Sequence, residues 1–219
     1  MIYGLVLAAG LGTRMGLNCP KALIKIKNKP IFVHSLKVFI NSKKITKVYV
    51  ACHPGYISKY EKIIEKYFHN DQVKLMPGDI KGRQESLKKS ISFIQKENKL
   101  NTNDLIVTHD CARINLTNEI LLDSINVAIK KGYSTAAIKM NDSLFDLSKN
   151  KYIDRKEKYQ IQTPQTFKFK YWKTKATNKS TDLFSYLNLK ITKDNLSIGS
   201  IFNYKITEKL DLKRVQKNQ

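Results

Sequence analysis

Cysteine, arginine, acidic residues and long apolar runs are all scarce in this 219-residue chain, and each shortage excludes something. No apolar run approaches the roughly 18 residues that a membrane-crossing helix needs. The N-terminal stretch has no charged segment followed by a long apolar one, so no export signal is expected. The three cysteines, Cys19, Cys52 and Cys111, lie far apart. They form neither a disulfide framework nor a zinc pattern, which points to a reducing, cytoplasmic setting. Acidic residues number 18 against 40 basic ones, a formal net charge of +22. Such a balance suits an anionic ligand. A nucleic-acid reader, however, would cluster its cations on one face among aromatics, and here the lysines spread evenly and form no tail. Arginine is rare, with only Arg14, Arg83, Arg113, Arg155 and Arg214 present. In so lysine-rich a chain, each arginine suggests a need for a rigid bidentate fork.

What is present is a rhythm of strands and helices. Ile2 to Ala8 is β-branched and apolar and ends at glycine, the pattern of a buried strand. The spacing predicts helices over Pro30–Ile40, Ser58–Phe68, Gln84–Lys96 and from Thr117 to Lys130, with Thr117 as N-cap. Strands are expected at Lys47–Cys52, Val73–Met76, Asp104–Thr108 and Thr135–Lys139. This alternation predicts an α/β fold, a Rossmann-like doubly wound and mostly parallel sheet. Ligands of such sheets sit outside the carboxyl ends of the strands. Residues 141–162 are polar and break the rhythm, reading as a protruding β-arm. Helical stretches are expected near Phe169–Ala176, Asp182–Leu189 and Asp211–Lys217, with a strand at Ser197–Phe202. No repeat or linker marks a second domain, so residues 1–219 read as one.

The glycine loop after the first strand runs "LAAGLGTRMGLNCPK". A dinucleotide fingerprint would place its third glycine at Met15, and a Walker loop would end in Gly-Lys-Ser/Thr. Neither spacing is met. What remains is Gly10 and Gly12, whose lack of side chains lets backbone amides approach a phosphate chain, followed by Arg14 and Lys21, which could neutralise it.

Further segments complete a pattern: "GRQES" at 82–86, "VTHDCAR" at 107–113, "YQIQTPQTF" at 159–167, "TDLFS" at 181–185 and "IFNYKIT" at 201–207. Together with the glycine loop, and in this order, they resemble the cytidylyltransferases that act on 2-C-methyl-D-erythritol 4-phosphate, and still more those that act on ribitol 5-phosphate. The resemblance covers nearly the whole chain. It implies a nucleotidyltransferase (GT-A-like) fold and a reaction of CTP with a polyol phosphate, giving a CDP-alditol and pyrophosphate, with magnesium or another divalent cation. Ribitol 5-phosphate is the expected acceptor, in wall or capsule synthesis. Methylerythritol phosphate, in isoprenoid synthesis, is the alternative.

By the same resemblance Arg14, Lys21 and Lys205 are catalytic, gripping the triphosphate and the α-phosphate region. Ala8, Ala9, Gly78, Asp79 and Ser86 match the region that reads cytosine. Asp110 matches a carboxylate that meets the ribose hydroxyls or magnesium. His109 is expected to be structural and Arg83 to brace the base-reading loop. Arg113 is expected to hold its loop or meet the acceptor. Arg155 matches an arm arginine that reaches into a partner subunit, and Thr181 matches a second acceptor contact, so a homodimer is implied. Three departures stand out: "PGDIKGRQES" is one residue longer than the family loop, Ile114 replaces a proline, and Ala22 replaces a glutamine.

Overall fold

The structure, a computed structural model, describes residues 1–16, 19–68, 71–172 and 182–217. Its strands are β1 (Ile2–Ala8), β2 (Lys25–Ile26), β3 (Lys29–Pro30), β4 (Lys47–Cys52), β5 (Val73–Pro77), β6 (Leu105–Asp110), β7 (Tyr133–Lys139), β8 (Leu144–Asp146), β9 (Lys151–Ile153), β10 (Tyr159–Lys168) and β11 (Leu196–Ile198). Its helices are α1 (Ile31–Asn41), α2 (Ile57–Tyr67), α3 (Arg83–Glu97), α4 (Asn118–Lys131), α5 (Leu183–Tyr186) and α6 (Lys209–Lys217). Seven strands form one sheet in the order β11-β7-β10-β6-β1-β4-β5. β1, β4, β5 and β6 are mutually parallel, while β10 runs antiparallel to both of its neighbours, β6 and β7.

Alternation along β1 sends Tyr3, Leu5 and Leu7 into one core and Val6 and Ala8 into the other. A strand buried on both faces belongs at the centre of a doubly covered sheet. Phe32, Leu36 and Phe39 of α1, Tyr60 of α2 and Leu121 and Ile125 of α4 cover one face. Leu87, Ile91 and Ile94 of α3 and Phe184 of α5 cover the other. Each fully buried side chain of this size contributes about 1.5–3 kcal/mol. A Cβ at Gly4 would fall 2.5 Å from the Phe39 ring, so glycine there lets α1 lie close on β1.

Most expected elements are present within a residue or two, and Thr117 caps α4 by accepting a hydrogen bond from the Ile120 N–H at 3.2 Å. Four differ. The strand expected to end at Thr108 continues through Asp110, because β1 pairs with it that far, Val6 opposite His109 and Leu7 opposite Asp110, whereas β10 pairs with it only to Thr108. Tyr159–Gln162, read as arm, belongs to β10, and the arm's hairpin is the separate β8–β9 pair. The helix expected from Asp182 is the short α5, capped by Asp182 itself. The strand expected over Ser197–Phe202 stops at Ile198. There Gly199 lies so close to Ala137 that a Cβ would sit 2.6 Å from its carbonyl oxygen. Of the helix expected near Phe169–Ala176, Phe169–Tyr171 forms a single tight turn; residues 173–176 lie outside the described residues. No helix among the described residues is long and apolar enough to cross a membrane.

Candidate active site

The carboxyl ends of β1 and β6 open on a cleft. Its first wall is the glycine loop, which folds back on itself. The Gly12 N–H donates to the Cys19 carbonyl at 3.1 Å and the Lys21 N–H to the Gly10 carbonyl at 3.2 Å. Gly16 takes a left-handed φ of 66° that closes the turn carrying Arg14, and Met15 is buried beneath it. Arg14 and Lys21 thereby line the same side of the cleft. Lys21 Nζ donates to the Ile206 carbonyl at 2.7 Å. Burial, with Lys205 and Arg14 nearby, lowers its pKa below the ordinary lysine value.

The second wall is an ionic cluster around Asp110. Its Oδ1 accepts from Arg83 Nε at 2.8 Å and its Oδ2 from Lys205 Nζ at 2.7 Å. Burial opposes ionisation of this carboxyl, but Arg83 and Lys205 overcome it and hold the pKa well below the usual carboxylate range. The segment bearing Lys205 is tied to the end of β6. The Ile206 N–H donates to the Ala112 carbonyl, and Arg113 Nη1 donates to the Asn203 carbonyl at 2.7 Å. Arg113 is therefore nearly buried and holds its loop. It borders a smaller adjoining pocket together with Thr163 and Gln165.

The third wall is the loop before α3. Ser86 Oγ accepts from the Asp79 N–H at 2.7 Å and donates to the Asp79 carbonyl at 3.0 Å. Gly78 is pressed against Ala9, where a Cβ would sit 2.5 Å from the Ala9 Cβ. Gly82, at φ 151°, opens α3, a backbone state that favours glycine. Ala9, Gly10, Asp79 and Ser86 line the cleft. Ala8, Gly12 and Gly78 support it from behind, with the Ala8 carbonyl held by Tyr60 Oη at 2.8 Å.

His109 is fully buried between Thr163 and the Arg113 carbonyl. Burial pushes its pKa down to about 4, which fits the structural role expected of it. Arg155 lies on the exposed arm, donates to the Asn141 carbonyl and does not line the cleft of its own chain. Thr181 lies outside the described residues. Arg83, expected to brace the base-reading loop, forms an ion pair with Asp110 that the sequence does not signal. Nor does the sequence signal Gln165 and Asp182, which continue the chain of contacts from Arg83. Asp110 and Arg83 are 27 residues apart, and no local spacing signals their meeting.

Among the described residues no group of three or more histidine, cysteine or carboxylate side chains could cage a metal. Both Asp110 oxygens already accept from cations. The side chains alone therefore do not make a metal site, and a divalent cation would need most of its oxygen ligands from a bound nucleotide, with Asp79 and Asp110 as the carboxylates at the cleft.

A mostly parallel α/β sheet whose strand ends present a glycine loop and converging cations is the architecture of a nucleotidyltransferase. The model of the family described as IspD, 2-C-methyl-D-erythritol 4-phosphate cytidylyltransferase, matches residues 2–217. The chain belongs to this family and is a CTP-dependent cytidylyltransferase. Solved structures agree on the fold. A 4-diphosphocytidyl-2C-methyl-D-erythritol synthase superposes with a TM-score of 0.80 at 22% identity, over 99% of this chain and 97% of that one. The corresponding synthase of Anaerococcus prevotii DSM 20548 gives 0.77 at 22% identity, over 99% and 95%. The 2-C-methyl-D-erythritol 4-phosphate cytidylyltransferase of Francisella tularensis gives 0.70 at 22% identity, over 100% and 99%.

Proposed function

We propose that the chain transfers the cytidylyl group of CTP to 2-C-methyl-D-erythritol 4-phosphate, releasing pyrophosphate. The observation that carries this reading is the family match across residues 2–217. It favours methylerythritol phosphate over the ribitol 5-phosphate expected from the sequence motifs, for which nothing further speaks.

A phosphate oxygen of the acceptor attacks the α-phosphorus of CTP, and the bond to pyrophosphate breaks on the far side. The second pKa of a phosphate monoester is about 6, so the nucleophile arrives largely ionised and needs no general base. The burial of His109 is compatible with this. The difficulty is to bring two anions together and to stabilise charge moving onto pyrophosphate. Arg14 and Lys21, on the glycine loop, grip the triphosphate and the departing pyrophosphate. Lys205, on the opposite wall, meets the α-phosphate. The backbone of Ala8, Ala9, Gly78 and Asp79, fixed by Ser86, reads cytosine. Asp110 orients Lys205 and faces the ribose side. Magnesium, when bound with the nucleotide, neutralises phosphate charge.

The acceptor is held in trans in this reading. Arg155 of one chain would reach the cleft of a second copy, which makes the working unit a homodimer, and Thr181 would be the second acceptor contact. Pyrophosphate release with CTP should be measured against methylerythritol 4-phosphate, ribitol 5-phosphate and glycerol phosphate. The expected result is a clear preference for the first. A preference for ribitol phosphate would restore the other acceptor, and no release with any of them would refute the reaction.

A further inference from the structure

We propose that Gln165 and Asp182 form a hydrogen-bond relay that positions Arg83, and through it Asp110 and Lys205, for the transfer step. The inference rests on the reading of the cleft as the cytidylyl-transfer site and assigns two positioning residues to it. Gln165 sits on β10 with 1% of its surface exposed. Its Oε1 accepts from Arg83 Nη2 at 3.2 Å, and its Nε2 donates to Asp182 Oδ2 at 2.7 Å. Arg83 in turn donates Nε to Asp110, whose other oxygen holds Lys205.

The chemistry of the two ends fixes the middle. A guanidinium offers only donors and an ionised carboxylate only acceptors. The Gln165 amide, lying between them, can therefore adopt a single orientation, with its carbonyl toward Arg83 and its NH2 toward Asp182. Asp182 is itself anchored: its Oδ1 accepts from the Phe184 and Ser185 N–H groups at 2.9 and 3.1 Å, and Gln84 Nε2 donates to its carbonyl at 3.1 Å. The relay thus runs from the cap of α5, through β10, to the start of α3 and the end of β6. It aims the guanidinium edgewise at Asp110. Without it the Arg83 guanidinium loses one of the contacts that fix its plane, and the Asp110 carboxylate and Lys205 ammonium lose registration with it.

The test exploits that polarity. Asp182→Asn keeps an oxygen for the helix cap, where asparagine serves as well as aspartate. It also places an NH2 against the Gln165 NH2. Gln165 must then flip and set donor against donor at Arg83. Hydrogen bonds to charged groups contribute about 1.5–3 kcal/mol, so kcat is expected to fall about ten- to a hundredfold, with KM for CTP changing less than about threefold. Adding Gln165→Glu to Asp182→Asn restores complementarity, since the new carboxylate accepts from both neighbours. The double variant should recover kcat to within about threefold of wild type. Gln165→Leu, which can serve neither neighbour, should lose kcat as D182N does whether or not the cap tolerates its change. A wild-type kcat in D182N or Q165L, or a double variant no better than D182N, overturns the relay while leaving the site intact. A wild-type protein that fails to turn over CTP overturns the site reading itself.

Discussion

Around Asp110 the charged groups meet partners drawn from distant parts of the chain, Arg83 at 27 residues and Lys205 at 95. Along the arm most are satisfied within the arm itself: Asp146 accepts from the Ser148 and Lys149 N–H groups, Asp154 from the Lys156 N–H, and Arg155 donates to the Asn141 carbonyl, while Glu157 reaches out to Lys193. The cleft is buried and cross-braced by four elements. The hairpin leaves Phe145 and Tyr152 edge to face at 5.1 Å and largely exposed. A region wired over long distances has one arrangement, and suits chemistry that must be preorganised. A region wired mostly to itself, as the arm is apart from its Glu157–Lys193 ion pair, keeps its shape but leaves its outward groups available. The difference fits a division of labour in which the cleft handles the nucleotide and the arm serves an acceptor held elsewhere.

Removing a cleft cation should break that division most severely. Lys21→Ala or Lys205→Ala should lower kcat about a hundred- to a thousandfold, measured by pyrophosphate release at saturating substrates. Asp110→Asn removes the charge shared by Arg83 and Lys205. It should cost about 3 kcal/mol of stability in urea unfolding as well as most of the activity. Because that carboxyl titrates below its unfolded value, its contribution is present above the ordinary carboxylate pKa and is lost as the pH falls through the lower folded one. Arg155→Ala should raise the acceptor KM about ten- to a hundredfold while leaving the CTP KM and the melting temperature unchanged, the opposite signature to the cleft variants. Gly78→Ala forces a methyl group against Ala9 and Ser86 and should cost about 1–3 kcal/mol, with a raised CTP KM. The smallest effect is in pH. Burial favours the neutral Lys21 amine, so its charge is present near neutrality and is lost as the pH rises, before the ordinary lysine value of 10.5. CTP KM should therefore climb in the alkaline range earlier than an ordinary lysine would predict.

The parallel half of the sheet was legible because β1, β4 and β6 are written in buried apolar residues, and their ends carry the glycine loop and "HDCAR". β10 was not. Its first residues, 159–162, read as part of the polar β-arm and residues 163–168 carry no strand pattern, yet Gln162, Thr163, Gln165 and Thr166 are all buried. Each is matched by a polar partner from another element: Asn203 for Gln162, His109 for Thr163, Arg83 for Gln165 and Ser124 for Thr166. Buried polar strands of this kind are stable only when such partners exist, and no single stretch reveals them. The same reason hid the relay. The motif carried the residue types of the site, but which cation meets which carboxylate is decided by how β6, β10 and α3 pack.

Mixing two impaired chains tests the division between cleft and arm most directly. A Lys21→Ala chain has a dead cleft and a sound arm, and an Arg155→Ala chain has the reverse. If the arm serves the cleft of a second copy, each mixed dimer contains one intact site. Random exchange of subunits should then recover about a quarter of wild-type activity at acceptor concentrations limiting for R155A. Activity that remains the average of the two separate variants would contradict the account and return the acceptor site to a single chain.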